Sequence, residues 1–157
     1  MNALVVYYSR TGSTRKVAQA ISDQLDGSME EITEPKSRKG IIGFMRSGFE
    51  AMRQKPSKIN PITANPADFD FIIIGSPVWG GSLSSPVRAF LVEYGKVLGN
   101  VAFFSTKGGS ATPKLFAQME SLVGKAPVAT LELRQSEVEK QAFAERLDSF
   151  LEKVKNT

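Results

Sequence analysis

Apolar positions in this chain fall into two kinds of run. "ALVVYYS", near the start, is continuous and β-branched, the pattern of a strand covered on both faces. "DFDFIIIGSP" predicts a second such strand over 71–75, "NVAFFST" a third over 101–105, and "APVATLEL" a fourth over 128–133. "SMEEIT" is short and polar and suits an edge strand. Between these runs the spacing changes to threes and fours. Val17, Ile21 and Leu25 form one stripe, Ile42, Met45, Phe49 and Met52 another, and Leu115, Met119 and Leu122 a third. A helix over 86–98 opens on Pro86, a favoured first position. Val138, Phe143, Leu147, Phe150 and Val154 make the stripe of one closing helix.

Strand and helix thus alternate five times. The pattern predicts a single α/β domain over 1–157, with a parallel sheet and helices on both faces. It contains no repeat, no low-complexity tract and no domain boundary. Apolar residues at 41% and charged residues at 23% fit a soluble globular chain, and no run approaches the ~20 residues of a membrane span. The start lacks the basic region of a signal peptide and runs straight into a strand.

Candidate chemistry is narrowed by what the chain lacks. It has no cysteine, so it has no disulfide, thiolate nucleophile or Cys metal site, in keeping with a cytosolic protein. It has no histidine, which excludes Ser-His-Asp and Cys-His catalysis and removes the commonest zinc ligand. No catalytic residue and no metal site is assigned; a cofactor would have to carry any difficult chemistry.

Open α/β sheets bind ligands outside the carboxyl ends of their strands. Three loops fall there. "SRTGST" feeds a helix N-terminus, where unpaired amides and the positive end of the dipole favour an anion. Gly12 permits a tight turn, and Ser9, Thr11, Ser13 and Thr14 add hydroxyls; the alternative for the same run is an ordinary Ser/Thr-rich helix cap. It has neither the lysine of a triphosphate loop nor the glycines of a dinucleotide fingerprint. "GSPVWGGSLSSP" holds the only tryptophan, Trp79, as a core anchor or as a plane for a flat ring, next to glycines that admit main-chain contact. "STKGGSAT" brings Gly108 and Gly109 to a third wall.

A phosphate nest, an aromatic plane and a glycine-rich wall suit flavin mononucleotide (FMN). In "SRTGST", "GSPVWGG" and "STKGG", spaced as they are, the chain resembles the flavodoxin family over essentially its whole length. That resemblance implies a three-layer, doubly wound flavodoxin-like fold with a five-stranded parallel sheet in the order 2-1-3-4-5. It implies FMN as cofactor, with Ser9, Thr11, Gly12, Ser13 and Thr14 around the phosphate and Arg10 beside them. Pro77, Val78, Trp79 and Gly80 would lie along the isoalloxazine, and Thr106, Gly108 and Gly109 would close the site. It implies a low-potential electron-transfer protein cycling between oxidised, semiquinone and hydroquinone flavin, with a flipping peptide at Gly80 or Gly81. The alternative is an FMN-dependent NAD(P)H:quinone or small-molecule oxidoreductase, favoured by a third loop without the tyrosine that covers the flavin in many flavodoxins. A flavin-free scaffold is a minor third reading. Receiver domains are excluded because Tyr8-Ser9 and Gly75-Ser76 stand where they carry acids, and cysteine phosphatases because the chain has no cysteine.

Charge departs from the acidic family habit. The net charge is +4 and the pI about 9.4. Segment 36–58 alone holds seven basic residues against Glu50, so the rest of the chain is acidic on balance. The segment reads first as a crossover helix that covers the sheet with its apolar residues and shows a basic face to solvent. Docking to an acidic redox partner protein and peripheral membrane contact are the other two readings. Nucleic acid is not expected, since no recognised motif accompanies the charge.

Overall fold

Buried β-branched runs build the centre of the molecule. The computed structural model describes residues 1–109 and 114–157. Strands β1 (Ala3–Tyr7), β2 (Ser28–Glu31), β3 (Phe71–Trp79), β5 (Asn100–Lys107) and β6 (Thr130–Arg134) pair in parallel in the order β2-β1-β3-β5-β6. This is the five-stranded order expected for a flavodoxin-like fold. A two-residue strand, β4 (Ser82–Leu83), is added antiparallel to the end of β3.

Alternate residues of each strand point to opposite faces, which creates two cores. On one face Val5, Tyr7, Ile73 and Phe104 pack with α1 (Ser13–Leu25) and with α5 (Gln135–Glu139) and α6 (Ala144–Lys155). On the other, Leu4, Val6, Ile72, Ile74 and Phe103 pack chiefly with α3 (Ser85–Tyr94) and α4 (Lys114–Val123). Helix α2 (Gly40–Met52) adds only Ala51 to that second core.

Three expectations are corrected. Strand β3 does not stop at Gly75 but runs on to Trp79, then turns back through Gly80 and Gly81 into β4. Both glycines have positive φ, 54° and 76°, as a two-residue hairpin of this hand requires. The closing helix is two helices. Its stripe takes a five-residue step from Val138 to Phe143 that no α-helix can keep in phase, and Gln141 breaks the chain with φ 54°. Helix α2 faces the other way from the expectation: Gly43, Ser47 and Ala51 are its buried side, and its large apolar residues point out.

The parallel register sets Gly75 beside Phe104, and the missing side chain makes room for the ring. A Cβ at Gly75 would come within 2.0 Å of the Phe104 ring. Gly75→Ala is therefore expected to lower stability by about 2 kcal/mol through overpacking, and Phe104→Leu in the same chain to recover part of it. Urea unfolding of the three proteins checks this; a single variant as stable as the parent would contradict the packing.

Candidate functional site

The carboxyl ends of β1, β3 and β5 converge on a cavity of about 300 Å³. At one end stands the start of α1. The Ser9 hydroxyl accepts the amides of Gly12 (3.1 Å) and Arg15 (3.2 Å), so it closes the loop as a cap. Gly12, with φ 107°, makes the turn. Neither residue lines the cavity, so the capping role foreseen for part of this run belongs to Ser9. Thr11, Ser13 and Thr14 do line it, and the first amides of α1 have no intrahelical acceptor. Thr14 shares a buried hydrogen bond of 2.8 Å with the Thr106 hydroxyl, which ties the first loop to the third.

Arg10 lines the cavity, but its guanidinium is engaged elsewhere. Nε donates to the Arg38 carbonyl at 3.0 Å and Nη2 to the Gly40 carbonyl at 3.1 Å, with the group 5.5 Å from the centre of the Phe44 ring. Arg10 thus holds the start of α2 against the first loop.

Pro77, Val78, Trp79 and Gly80 form an apolar wall. Trp79 is only 8% exposed, meets Tyr8 edge-on at 5.4 Å, and carries the Arg38 guanidinium 4.8 Å from its centre. It is at once a core anchor and part of the wall. Burial, with the Glu34 charge adding to it, holds the Tyr8 phenol above its ordinary range. Gly108 and Gly109 line the third wall, where a Cβ would meet nothing within 4 Å among the described residues. The remainder of the third loop, 110–112, lies outside the described residues.

Sequence reasoning missed five lining residues: Phe44, Ser47 and Gly48 of α2, Lys107 at the end of β5, and Gln135 at the start of α5. The Lys107 ammonium is 3.2 Å from a Glu132 carboxylate oxygen. Lys107 stood inside "STKGG" and follows Thr106 directly, so the loop itself carried that signal. Nothing in the sequence placed α2 at the cavity.

What places α2 there is Arg38. Its side chain is 2% exposed and forms a bidentate pair with Glu34, itself 5% exposed, at 2.5 and 2.8 Å. It also reaches Glu50 at 2.5 Å and the Ser47 hydroxyl at 3.2 Å. Burial opposes its charge, but the bonds to Glu34 and Glu50 outweigh that and raise its pKa. Arg38 had been counted with the basic surface; it is interior.

Fold and cavity together define a flavodoxin-like protein with a ligand crevice at the strand ends. Residues 1–111 match the family described as NADPH-dependent FMN reductase, and the chain belongs to that family. The match takes in the first two loops and the third as far as residue 111. No curated protein matches the chain significantly. Among solved structures, it is similar to a flavoprotein in complex with FMN from Lactobacillus acidophilus: 24% identity over 88% of this chain and 97% of that one, with a TM-score of 0.70. Oxidised flavodoxin 2 from Bacillus cereus aligns over 98% and 99% of the two chains at 20% identity, TM-score 0.55. Two-electron reduced Megasphaera elsdenii flavodoxin aligns over 83% and 85% at 18% identity, TM-score 0.57. At these identities the three structures attest the fold.

Removing Arg38 while Glu34 stays leaves a buried carboxylate without its partner. Arg38→Met should cost about 3–5 kcal/mol, and Glu34→Gln added to it should restore a large share. Denaturant unfolding with Trp79 fluorescence measures both; additive losses would mean that the two groups do not act as a pair.

Proposed function

We propose that the protein binds FMN in this cavity and serves as a redox carrier. The observation that carries the reading is the polarity of the cavity. One end offers hydroxyls at the N-terminus of a helix, whose dipole favours an anion, and the other offers planar apolar walls. This arrangement suits a phosphate at one end and a flat ring at the other. The Thr11 and Ser13 hydroxyls form no hydrogen bond among the described residues and are free to donate to the phosphate. Thr14 is held in place by Thr106, so the donors are fixed before the ligand arrives. Pro77, Val78, Trp79 and Phe44 exclude water from the ring, and Gly80 lets the main chain approach its edge. Bound FMN would supply the chemistry, taking up and releasing one or two electrons. No side chain needs to act as acid or base for that, in keeping with a chain that has no histidine.

The second reading, an NAD(P)H-dependent oxidoreductase, is favoured by the family match. It needs a flavin face that a nicotinamide can reach. Gly108 and Gly109 put no side chain on the third wall, and among the described residues a Cβ at either would meet nothing within 4 Å.

Titration with FMN, followed by quenching of flavin fluorescence, is expected to show saturable binding. Ser13→Ala and Thr11→Ala should each raise Kd about tenfold, the weight of one hydrogen bond to a charged group. Unchanged Kd in both variants would remove the phosphate assignment. Anaerobic addition of NADPH to the loaded protein then separates the readings. Prompt bleaching of the flavin supports the oxidoreductase, and bleaching only by dithionite or a partner reductase supports the carrier.

A further inference from the structure

Helix α2 presents to solvent the side chains that a crossover helix normally buries. Ile41, Ile42, Phe44, Met45, Phe49 and Met52 are each between 55% and 84% exposed. Over its 13 residues α2 is about 20 Å long. Ile41, Met45 and Met52, with Gly48, share the central line of the face; Ile42 and Phe49 lie on one flank and Phe44 on the other, beside the cavity. Arg46 and Arg53 border the flank of Ile42 and Phe49, and the Arg53 guanidinium rests 4.4 Å from the centre of the Phe49 ring. Lys36, Lys39, Lys55 and Lys58 lie in the segments before and after the helix. Glu50 is the only acid between 36 and 58, and it is committed to Arg38 and Arg46.

We infer that this face is a peripheral docking surface for a membrane that carries anionic lipid. Three features select that occupant. The face contains no polar side chain, whereas a protein interface of similar size carries about one hydrogen bond per 100–200 Å². Its border is basic on balance, since Glu50 is the one acid of the segment and is shared between Arg38 and Arg46, and this complements anionic headgroups at the depth where arginine can keep its charge in water. A second copy of the chain fits poorly. Two-fold packing of two α2 helices in antiparallel sets the Arg46 and Arg53 edges of both copies on the same side, and in parallel it sets each edge against the Arg10 side of the other. No described helix is long and apolar enough to cross a membrane, so the contact is superficial. Its strength comes from apolar burial to the headgroup boundary together with the basic border. The inference does not depend on what the cavity binds.

The test is flotation of the full-length protein with vesicles of pure phosphatidylcholine and with vesicles containing about a third phosphatidylglycerol, at low and raised salt. Wild type should float with the anionic vesicles, at least tenfold more than with the neutral ones, and less at raised salt. Ile42→Glu with Met45→Glu should cut partition about tenfold or more, because two apolar anchors are lost. Arg53→Glu with Lys55→Glu should weaken it on anionic vesicles only. These positions are exposed, so the thermal midpoint of both variants should stay near that of the parent; this confirms that they fold. Wild type left in the soluble fraction with both vesicles overturns the proposal. So does binding that salt abolishes but Ile42→Glu/Met45→Glu leaves intact, which is how an acidic protein surface would behave. A wild-type dimer in sedimentation velocity that this double variant converts to monomer assigns the face to a second copy and likewise overturns it.

Discussion

A buried arginine sets the shape of the functional end of this molecule. Arg38 stands in the segment before α2, with Glu34 four residues upstream, Ser47 and Glu50 on the helix and Trp79 across the hairpin. A guanidinium this enclosed is tolerable only when its donors are met, and here two carboxylates and a hydroxyl meet them. To bring those groups together α2 must turn its small side inward. Gly43 permits the approach, since a Cβ there would fall 2.1 Å from the Arg38 carbonyl oxygen. Once Gly43, Ser47 and Ala51 are inside, the bulky residues have nowhere to go but out. The outward face of α2 and the presence of Phe44, Ser47 and Gly48 at the cavity have the same cause.

The rest of the cavity depends on restraints between loops. The hydroxyl pair of Thr14 and Thr106 joins the first loop to the third. Ser76 and Ser84, 2.8 Å apart, and the Gln118 side chain, which accepts the Leu83 amide at 2.9 Å, hold the hairpin against α4. Arg10 joins the first loop to α2 through two carbonyls. Each wall is thus tied to a neighbour by side-chain hydrogen bonds. A cleft built in this way keeps its form before anything enters it, and less of the binding energy goes into ordering it.

The sheet was legible because buried parallel strands announce themselves as unbroken β-branched runs, and the order of "ALVVYYS", "FIII" and "VAFF" is the order of the core. The first loop was legible because a hydroxyl run before a helical stripe has few uses. The extension of β3 to Trp79 was hidden by Gly75, Pro77, Gly80 and Gly81, residues that usually end a strand; here one makes room for Phe104 and two form a tight turn. The direction of α2 was hidden for a different reason. Apolar periodicity says which residues share a face, not whether that face is covered. The deciding signals were the small residues at 43, 47 and 51, one helical turn apart, and a charge at 38 that composition assigns to the surface. The break before α6 was written in a five-residue step that a count of apolar positions smooths over.

Helix α2 belongs to two environments at once. Phe44, Ser47 and Gly48 form part of the cavity wall, while Ile41, Ile42 and Met45 stand outside on the same rigid rod. Gly80 fixes the depth of that rod, since a Cβ there would lie 3.0 Å from the Gly48 carbonyl oxygen and 2.9 Å from Met52 Cγ. An element shared in this way is subject to thermodynamic linkage. If seating a ligand in the cavity favours one position of α2, then whatever engages the outer face gains or loses affinity by the same factor that it imposes on the cavity. Gly48, which faces the cavity and lies on the central line of the outer face, is where the two environments come closest.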